Sequence, residues 1–125
     1  MSDLDHYETV ASAVADGVLI DVSKTANQAG IQVPVFVSHW VWTVCLAAAG
    51  GETESAEERR LRMILNRLPL SVIEGKLYDV APFEVPITIG NDPPVLAELQ
   101  ACRNHDDAGQ PIITVILRRK ESWEE

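Results

Sequence analysis

Ile112-Ile113-Thr114-Val115-Ile116-Leu117 decides how this chain is read. Five of the six residues are β-branched and none is charged, which makes this the clearest strand in the sequence. The segment before it, Asn104-His105-Asp106-Asp107-Ala108-Gly109, is built of turn residues. A turn there folds the strand back on whatever precedes it, so Val95 to Arg103 becomes its hairpin partner if that segment is extended. The residues of Val95 to Arg103 allow two assignments. Ala, Leu, Glu and Gln favour a helix that Pro93-Pro94 would open. Yet Val95, Ala97, Leu99 and Ala101 alternate with Glu98 and Gln100, as in a half-buried strand.

Further back, Gly90-Asn91-Asp92-Pro93-Pro94 is a turn, and Leu77 to Val80 and Phe83 to Ile89 read as strand pieces broken by Pro82 and Pro86. The period is helical before Gly75. Ser55-Ala56-Glu57-Glu58 has capping-box spacing. The helix it opens runs to about Leu68, with Leu61, Ile64, Leu65 and Leu68 as its buried stripe and Glu58 paired with Arg62 on the wet face. Ser38 caps a helix over His39 to Ala49 that is apolar nearly all round and ends at Gly50-Gly51. Ile31 to Val37 is β-branched but interrupted by Pro34, which predicts an edge strand or an extended connector. Nearer the N-terminus, His6 to Ala15 reads as a short helix, Val18 to Val22 as a strand, and Lys24 to Ala29 as a short helix capped by Ser23 and ended by Gly30.

These elements predict a single α+β domain over residues 1–125, with about three helices packed on a mainly antiparallel sheet of about four strands. The core centres on Leu19, Val41, Val44, Leu61, Ile64, Leu65, Ile113 and Val115. At 125 residues and 46% hydrophobic composition, the chain needs neither disulfides nor a metal to build that core. Cys45 and Cys102 lie in apolar stretches and read as buried free thiols, which suits a reducing, cytoplasmic setting. The N-terminus has neither the basic nor the apolar region of a signal peptide, and the longest apolar run is about half a membrane span.

Two stretches resemble a known family. The first is Asp16-Gly17-Val18-Leu19-Ile20-Asp21-Val22-Ser23-Lys24-Thr25-Ala26 with Ala29-Gly30-Ile31-Gln32-Val33-Pro34-Val35. The second is Asp106-Asp107-Ala108-Gly109-Gln110-Pro111 with the strand that follows it. Together they are similar to small bacterial proteins of unknown function often carried on plasmids and phages. The resemblance implies an α+β fold with a mainly antiparallel sheet, favours strand for Val95 to Arg103, and implies no activity. Family members usually carry an aromatic residue and an acid in the helix that here reads Leu61-Arg62-Met63-Ile64-Leu65.

Nineteen acids against ten bases give a net charge of −9. Such a surface repels a phosphate backbone and steers towards basic partners. Together with the resemblance, this leads to the first functional expectation. It is a non-enzymatic acidic binding protein, an accessory or counter-defence inhibitor of anti-CRISPR or anti-restriction type, acting on a host nucleic-acid-binding protein with a basic groove. Its binding residues would be Trp40, Trp42, Glu52, Glu54, Glu57, Glu58, Asp106 and Asp107, with no cofactor, metal, membrane or direct nucleic-acid contact. The acids are also what ordinary solvated loops contain.

A second expectation is a small hydrolase or metal-dependent enzyme using His105, Asp106 and Asp107, residues that equally suit a solvated hairpin loop. Ser38 and Cys45 stand seven residues apart, about 10 Å along a helix, too far for one to activate the other. A third expectation is a homodimer. Trp40 and Trp42 point about 200° apart on a helix, so one faces the core and the other is left for a second copy, unless the domain sandwiches the helix on both sides.

Overall fold

The structure, a computed structural model, describes residues 9–47, 53–75, 79–88 and 92–118. Its centre is a five-stranded mixed sheet of β1 (Leu19–Asp21), β2 (Val35–Ser38), β3 (Val80–Ile87), β4 (Val95–His105) and β5 (Pro111–Leu117), in the order β1-β2-β5-β4-β3. β5 is buried along almost its whole length because it lies in the middle of the sheet. It pairs antiparallel with β4 through the predicted hairpin, and the turn closes through Gly109 at φ 80°. The segment over Val95 to Arg103 is therefore strand, as its alternation allowed.

On its other side β5 pairs parallel with β2, through Val35↔Ile113, Phe36↔Thr114 and Val37↔Val115. This corrects two expectations. The sheet is mainly antiparallel as expected, but it has five strands instead of about four and includes this one parallel pairing, and the segment after Pro34 is internal rather than an edge. Pro34 stands just before the strand, so its missing N–H costs no ladder bond, and its carbonyl accepts from Ile113 N at 2.9 Å. A further correction concerns Pro82 and Pro86, which do not split β3. Both lie in register with β4, opposite Gln100 and Leu96, within one continuous strand. A proline whose nitrogen points away from the neighbouring strand leaves the ladder intact.

Helices cover the sheet unequally. One face carries α2 (Ser23–Gln28), α3 (His39–Val41) with the turn that continues it, α4 (Glu54–Asn66) and α5 (Leu70–Glu74). The main core lies there: Val35, Val37, Val41, Leu61, Ile64, Leu65, Leu99, Ile113 and Val115 are all at or below 5% exposure. Each such Val, Leu or Ile contributes roughly 1.5–3 kcal/mol through burial. On the opposite face α1 (Val10–Ala15) sets Ala13 against Leu19, Phe36 and Ile112. Leu19 is thus core, but in this smaller cluster.

The helix ends differ from the sequence reading in detail. Thr9 caps α1 by accepting from Ser12 N. The expected helix over His6 to Ala15 is described only from residue 9 onward. Ser38 caps α3 as predicted, its Oγ accepting from Val41 N at 3.2 Å. Ser23 begins α2 instead of capping it. Its amide donates to Asp21 at 2.9 Å and its hydroxyl sits against the Val35 backbone. α4 begins at Glu54, so Ser55 falls inside the first turn and the expected capping box does not set the start. Glu58 and Arg62 pair at 2.9 Å as expected. α5 is a helix the sequence did not announce. The expected ending of the α3 helix at Gly50-Gly51 lies outside the described residues.

Candidate functional site

The wall of the candidate site is the continuation of α3. Residues Trp42–Leu46 form a π-turn, in which Ala47 N donates five residues back to the Trp42 carbonyl at 2.7 Å. Such wide turns are rare and concentrate at functional sites. This one places Cys45 and Leu46 in the core and leaves Val44 45% exposed. The expectation that Val44 belongs to the core is therefore corrected: it lies four residues after the exposed Trp40, on the same outer side.

A buried arginine fixes this turn. Arg60 of α4 is 2% exposed, and its Nη1 donates to the carbonyls of Leu46 and Ala47, each at 3.2 Å. Its Nε donates to the Thr88 carbonyl at 3.1 Å. One guanidinium thus ties the helix end to the segment leaving β3, and its charge suits the negative end of a helix.

Beside this wall, at the end of the sheet where β4 begins and β5 ends, lies a groove of about 420 Å³. Val44, Cys45, Ile87, Val95, Ala97 and Leu117 give it an apolar floor and walls, and the charged residues lining it, Asp92 and Glu98, are both acidic. Val95 is 69% and Leu96 55% exposed there, an unusual display for large apolar side chains at the end of a long strand.

The register explains the groove. β5 pairs with β4 only from Leu99↔Leu117 onward, while β4 reaches four residues further, to Val95. Leu96 stands opposite Pro86, which has no N–H, so that pair is a non-hydrogen-bonded one. The N–H and C=O of Leu96 therefore point away from β3, towards the side on which β5 pairs further along. Glu98, two residues on, has the same orientation, and its carbonyl accepts from Arg118 N at 3.1 Å. Among the described residues, no strand lies beside residues 95–97 on this side.

The site residues expected from sequence fall in three places. Trp42 packs against the main core while Trp40 is 40% exposed, so the two do point apart. Trp40 and Val44, four residues apart, are both exposed on the outer side of the helix, and Val44 lines the groove. Glu54, Glu57 and Glu58 lie in the first turns of α4, and none of them lines the groove. Glu52 lies outside the described residues.

His105, Asp106 and Asp107 are at the opposite end, beyond the eleven residues of β4, about 33 Å away at 3.3 Å per residue. Their carboxylates serve the backbone. Asp106 Oδ1 accepts from Ala108 N and Gln110 N at 2.9 and 2.8 Å. Asp107 accepts from Val10 N and Ala11 N at 2.9 and 3.2 Å, tying the hairpin to the start of α1. The described acids do not converge into one track. Among the described residues no three or more His, Cys, Asp and Glu side chains are grouped as a metal ion requires. Nor, among those residues, is any helix long and apolar enough to cross a membrane.

Comparisons with protein-family models, with curated proteins and with solved structures give no match. The groove residues Asp92, Val95 and Leu96 and the anchoring Arg60 were not singled out from sequence. Arg60 reads there as one more base in a charged helix. The one available signal was Val95-Leu96, a pair of adjacent large apolar residues opening a strand whose partner β5 is shorter.

Proposed function

We propose that this chain is a non-enzymatic protein-binding module and that its contact surface is the apolar groove at the end of β4. The observation that carries the reading is the exposure of Val44, Val95 and Leu96 around a groove lined with apolar groups and two acids. An apolar centre with a charged rim is the ordinary anatomy of a protein interface. The charge of −9 selects a partner whose facing surface is basic. A host nucleic-acid-binding protein has such a surface, so a counter-defence role is in keeping with this chemistry. The separation of the α4 acids from Asp106 and Asp107 argues for a local contact over a long phosphate-like track.

The test compares wild type with Leu96→Glu as bait for host proteins at two salt concentrations. Raising salt from about 0.1 M to about 1 M shortens the Debye length from about 10 Å to about 3 Å. Basic proteins retained by wild type at low salt, and lost in Leu96→Glu and at high salt, are the expected result. Equal retention by both proteins would overturn the assignment of the surface.

The exposed pair Trp40 and Val44 favours a second reading, in which a further copy of the chain covers the same end of the molecule. A solution mass measurement of wild type and Trp40→Glu decides it. A dimer that Trp40→Glu dissociates supports this reading, and a monomeric wild type removes it.

A further inference from the structure

The charge of the chain is unevenly placed. Arg60 and Arg103 direct their guanidinium groups at backbone carbonyls. Of the other basic side chains among the described residues, Lys24, Arg59, Arg62 and Arg67 belong to α2 and to α4 with its cap, and Arg118 lies elsewhere. All of these are exposed. α2 contains no acid, and the acids of α4, Glu54, Glu57 and Glu58, all precede Arg59. A chain of net charge −9 thus gathers most of its described, exposed bases on one pair of helices.

The packing of that pair turns the bases into a lined surface. Ser55, Arg59, Arg62 and Asn66 recur at helical spacing, which sets them in one row along the outer face of α4. α2 packs beside this row. Arg62 Nη2 donates to Glu58 of its own helix at 2.9 Å and to Gln28 of α2 at 3.4 Å. A cleft of about 470 Å³ on the α2 side is lined by Thr25, Gln28 and Ala29, and one of about 350 Å³ by Ser55, Arg59 and Met63. Arg62 and Asn66 line both. Among the described residues, Arg62 Nε and Nη1, the Arg59 guanidinium and the Asn66 amide have no hydrogen-bond partner.

Donors left in this state take an anion, carboxylate or phosphate. Glu58 decides between the two. It lines the outer cleft beside Arg59 and Arg62, where a continuous run of phosphates would meet its charge. The net charge of the chain opposes such a polyanion further. An extended peptide sets the side chains of one face about 6.6 Å apart, near the steps of about 4.5 and 6 Å along the row. Between its carboxylates it offers backbone N–H groups, which Glu58 accepts.

We propose that the α2–α4 face is a second contact surface, which binds an extended acidic segment of a partner protein with Glu or Asp at alternate positions. Arg59 and the free edge of Arg62 hold successive carboxylates, and Gln28 and Asn66 hydrogen-bond the backbone between them. The surface is independent of the groove beside Leu96, whose charged lining is acidic.

The probe is a fluorescein-labelled octapeptide alternating Glu with Thr. Its anisotropy is read at about 0.15 M salt, where the Debye length is about 8 Å and net charge is largely screened. One control peptide has Gln in place of Glu, and an oligothymidylate carrying as many charges is the second control. Arg59→Gln with Arg62→Gln changes two exposed positions, and its thermal midpoint serves as the folding control. Arg118→Gln removes an exposed base elsewhere. Wild type and Arg118→Gln bind the acidic peptide alike. Binding weakens at least about tenfold, a difference of about 1.4 kcal/mol, in the double variant and with the Gln peptide.

No binding of the acidic peptide by wild type, or the same loss in Arg118→Gln as in the double variant, would overturn the surface. Equal binding of the Gln peptide would overturn the role of the carboxylates. Tighter binding of the oligothymidylate, lost in the double variant, would replace the acidic segment by a nucleic acid. Glu121→Gln with Glu124→Gln and Glu125→Gln, and separately Asp3→Asn with Asp5→Asn, probe the chain's own acidic ends as occupants. A tenfold gain in peptide affinity in either variant would overturn the assignment to a partner.

Discussion

Arg60 donates to the carbonyl of Leu46 at 3.2 Å from a position 2% exposed, so a charge from the middle of α4 terminates a helix fourteen residues earlier in the chain. The same guanidinium reaches Ala47 and Thr88. It holds the wall of the groove against the end of β3, which is why the π-turn and the apolar floor keep a fixed separation.

Arg60→Met fills most of the same volume but leaves three carbonyls without this donor. Each buried acceptor so exposed costs on the order of 1–3 kcal/mol, and partial access of water reduces the sum. We expect a loss of about 3 kcal/mol, within the range for breaking a buried network, measured by urea denaturation. Arg60→Lys should recover less than half, because an ammonium cannot reproduce the planar fork. A loss below about 0.5 kcal/mol, the scale of an ordinary surface change, would show that the carbonyls are satisfied without it.

Asp107 caps α1 from the far end of the chain, through Val10 N and Ala11 N. Asp107→Ala should cost about 1 kcal/mol, as for loss of an N-cap. The effect should be local: amide exchange should quicken in α1 while the amides of β4 and β5 keep their protection. Asp107→Asn keeps an acceptor and should recover part of the loss. Uniform quickening across the sheet would mean that the hairpin contact supports the whole fold.

Gly75 ends α5 at φ 68°, and a Cβ there would lie 2.7 Å from Arg103 Nε. Arg103 Nη1 in turn donates to the carbonyls of Val72 and Ile73 at 3.0 and 2.6 Å. Gly75→Ala therefore strains the backbone and displaces the side chain that closes the helix. The expected cost is about 2 kcal/mol, above the roughly 1 kcal/mol of a left-handed residue alone. Arg103→Ala combined with Gly75→Ala should be less than additive, and full additivity in denaturation would rule out the clash.

What could be read from sequence follows from how local each cause is. The β4–β5 hairpin, the Ser38 cap, the Glu58–Arg62 pair and the buried stripe of α4 depend on neighbours a few residues apart, and all are present. The parallel pairing of β2 with β5 joins residues nearly eighty positions apart, which no local pattern encodes. Pro82 and Pro86 read as breaks in sequence, because their effect depends on which side of β3 the next strand lies. Trp40 and Trp42 lie on opposite sides as their spacing requires, but Val44 shares the exposed side with Trp40, because an all-round apolar helix does not say in its own sequence which side the sheet covers.

Cys45 lies on the groove wall yet is only 2% exposed, and burial pushes its thiol from 9.0 up to about 11. The folded chain therefore holds this proton where the unfolded chain releases it. The stabilising contribution is complete below about pH 9 and is lost as pH rises towards 11. Between those limits wild type should lose stability more steeply than Cys45→Ala. At neutral pH, alkylation by iodoacetamide should be slow in the folded protein and fast in denaturant. Rapid labelling of the folded protein would show that the groove opens deeply enough to expose the sulfur.

The margin of β3 provides the last prediction. Val80, Ala81, Phe83, Val85 and Ile87 make a segment of high strand propensity at a sheet edge, the composition that recruits other chains. Pro82 and Pro86 remove two outward donors, and Glu84 between them adds a charge. Pro82→Val with Pro86→Val should leave the β3–β4 ladder intact, because neither nitrogen takes part in it. The thermal midpoint should hold or rise slightly, while light scattering on heating should begin earlier and grow with protein concentration. Adding Glu84→Val should accelerate it further. If the triple variant scatters no more than wild type, the prolines are not what keeps this edge from pairing.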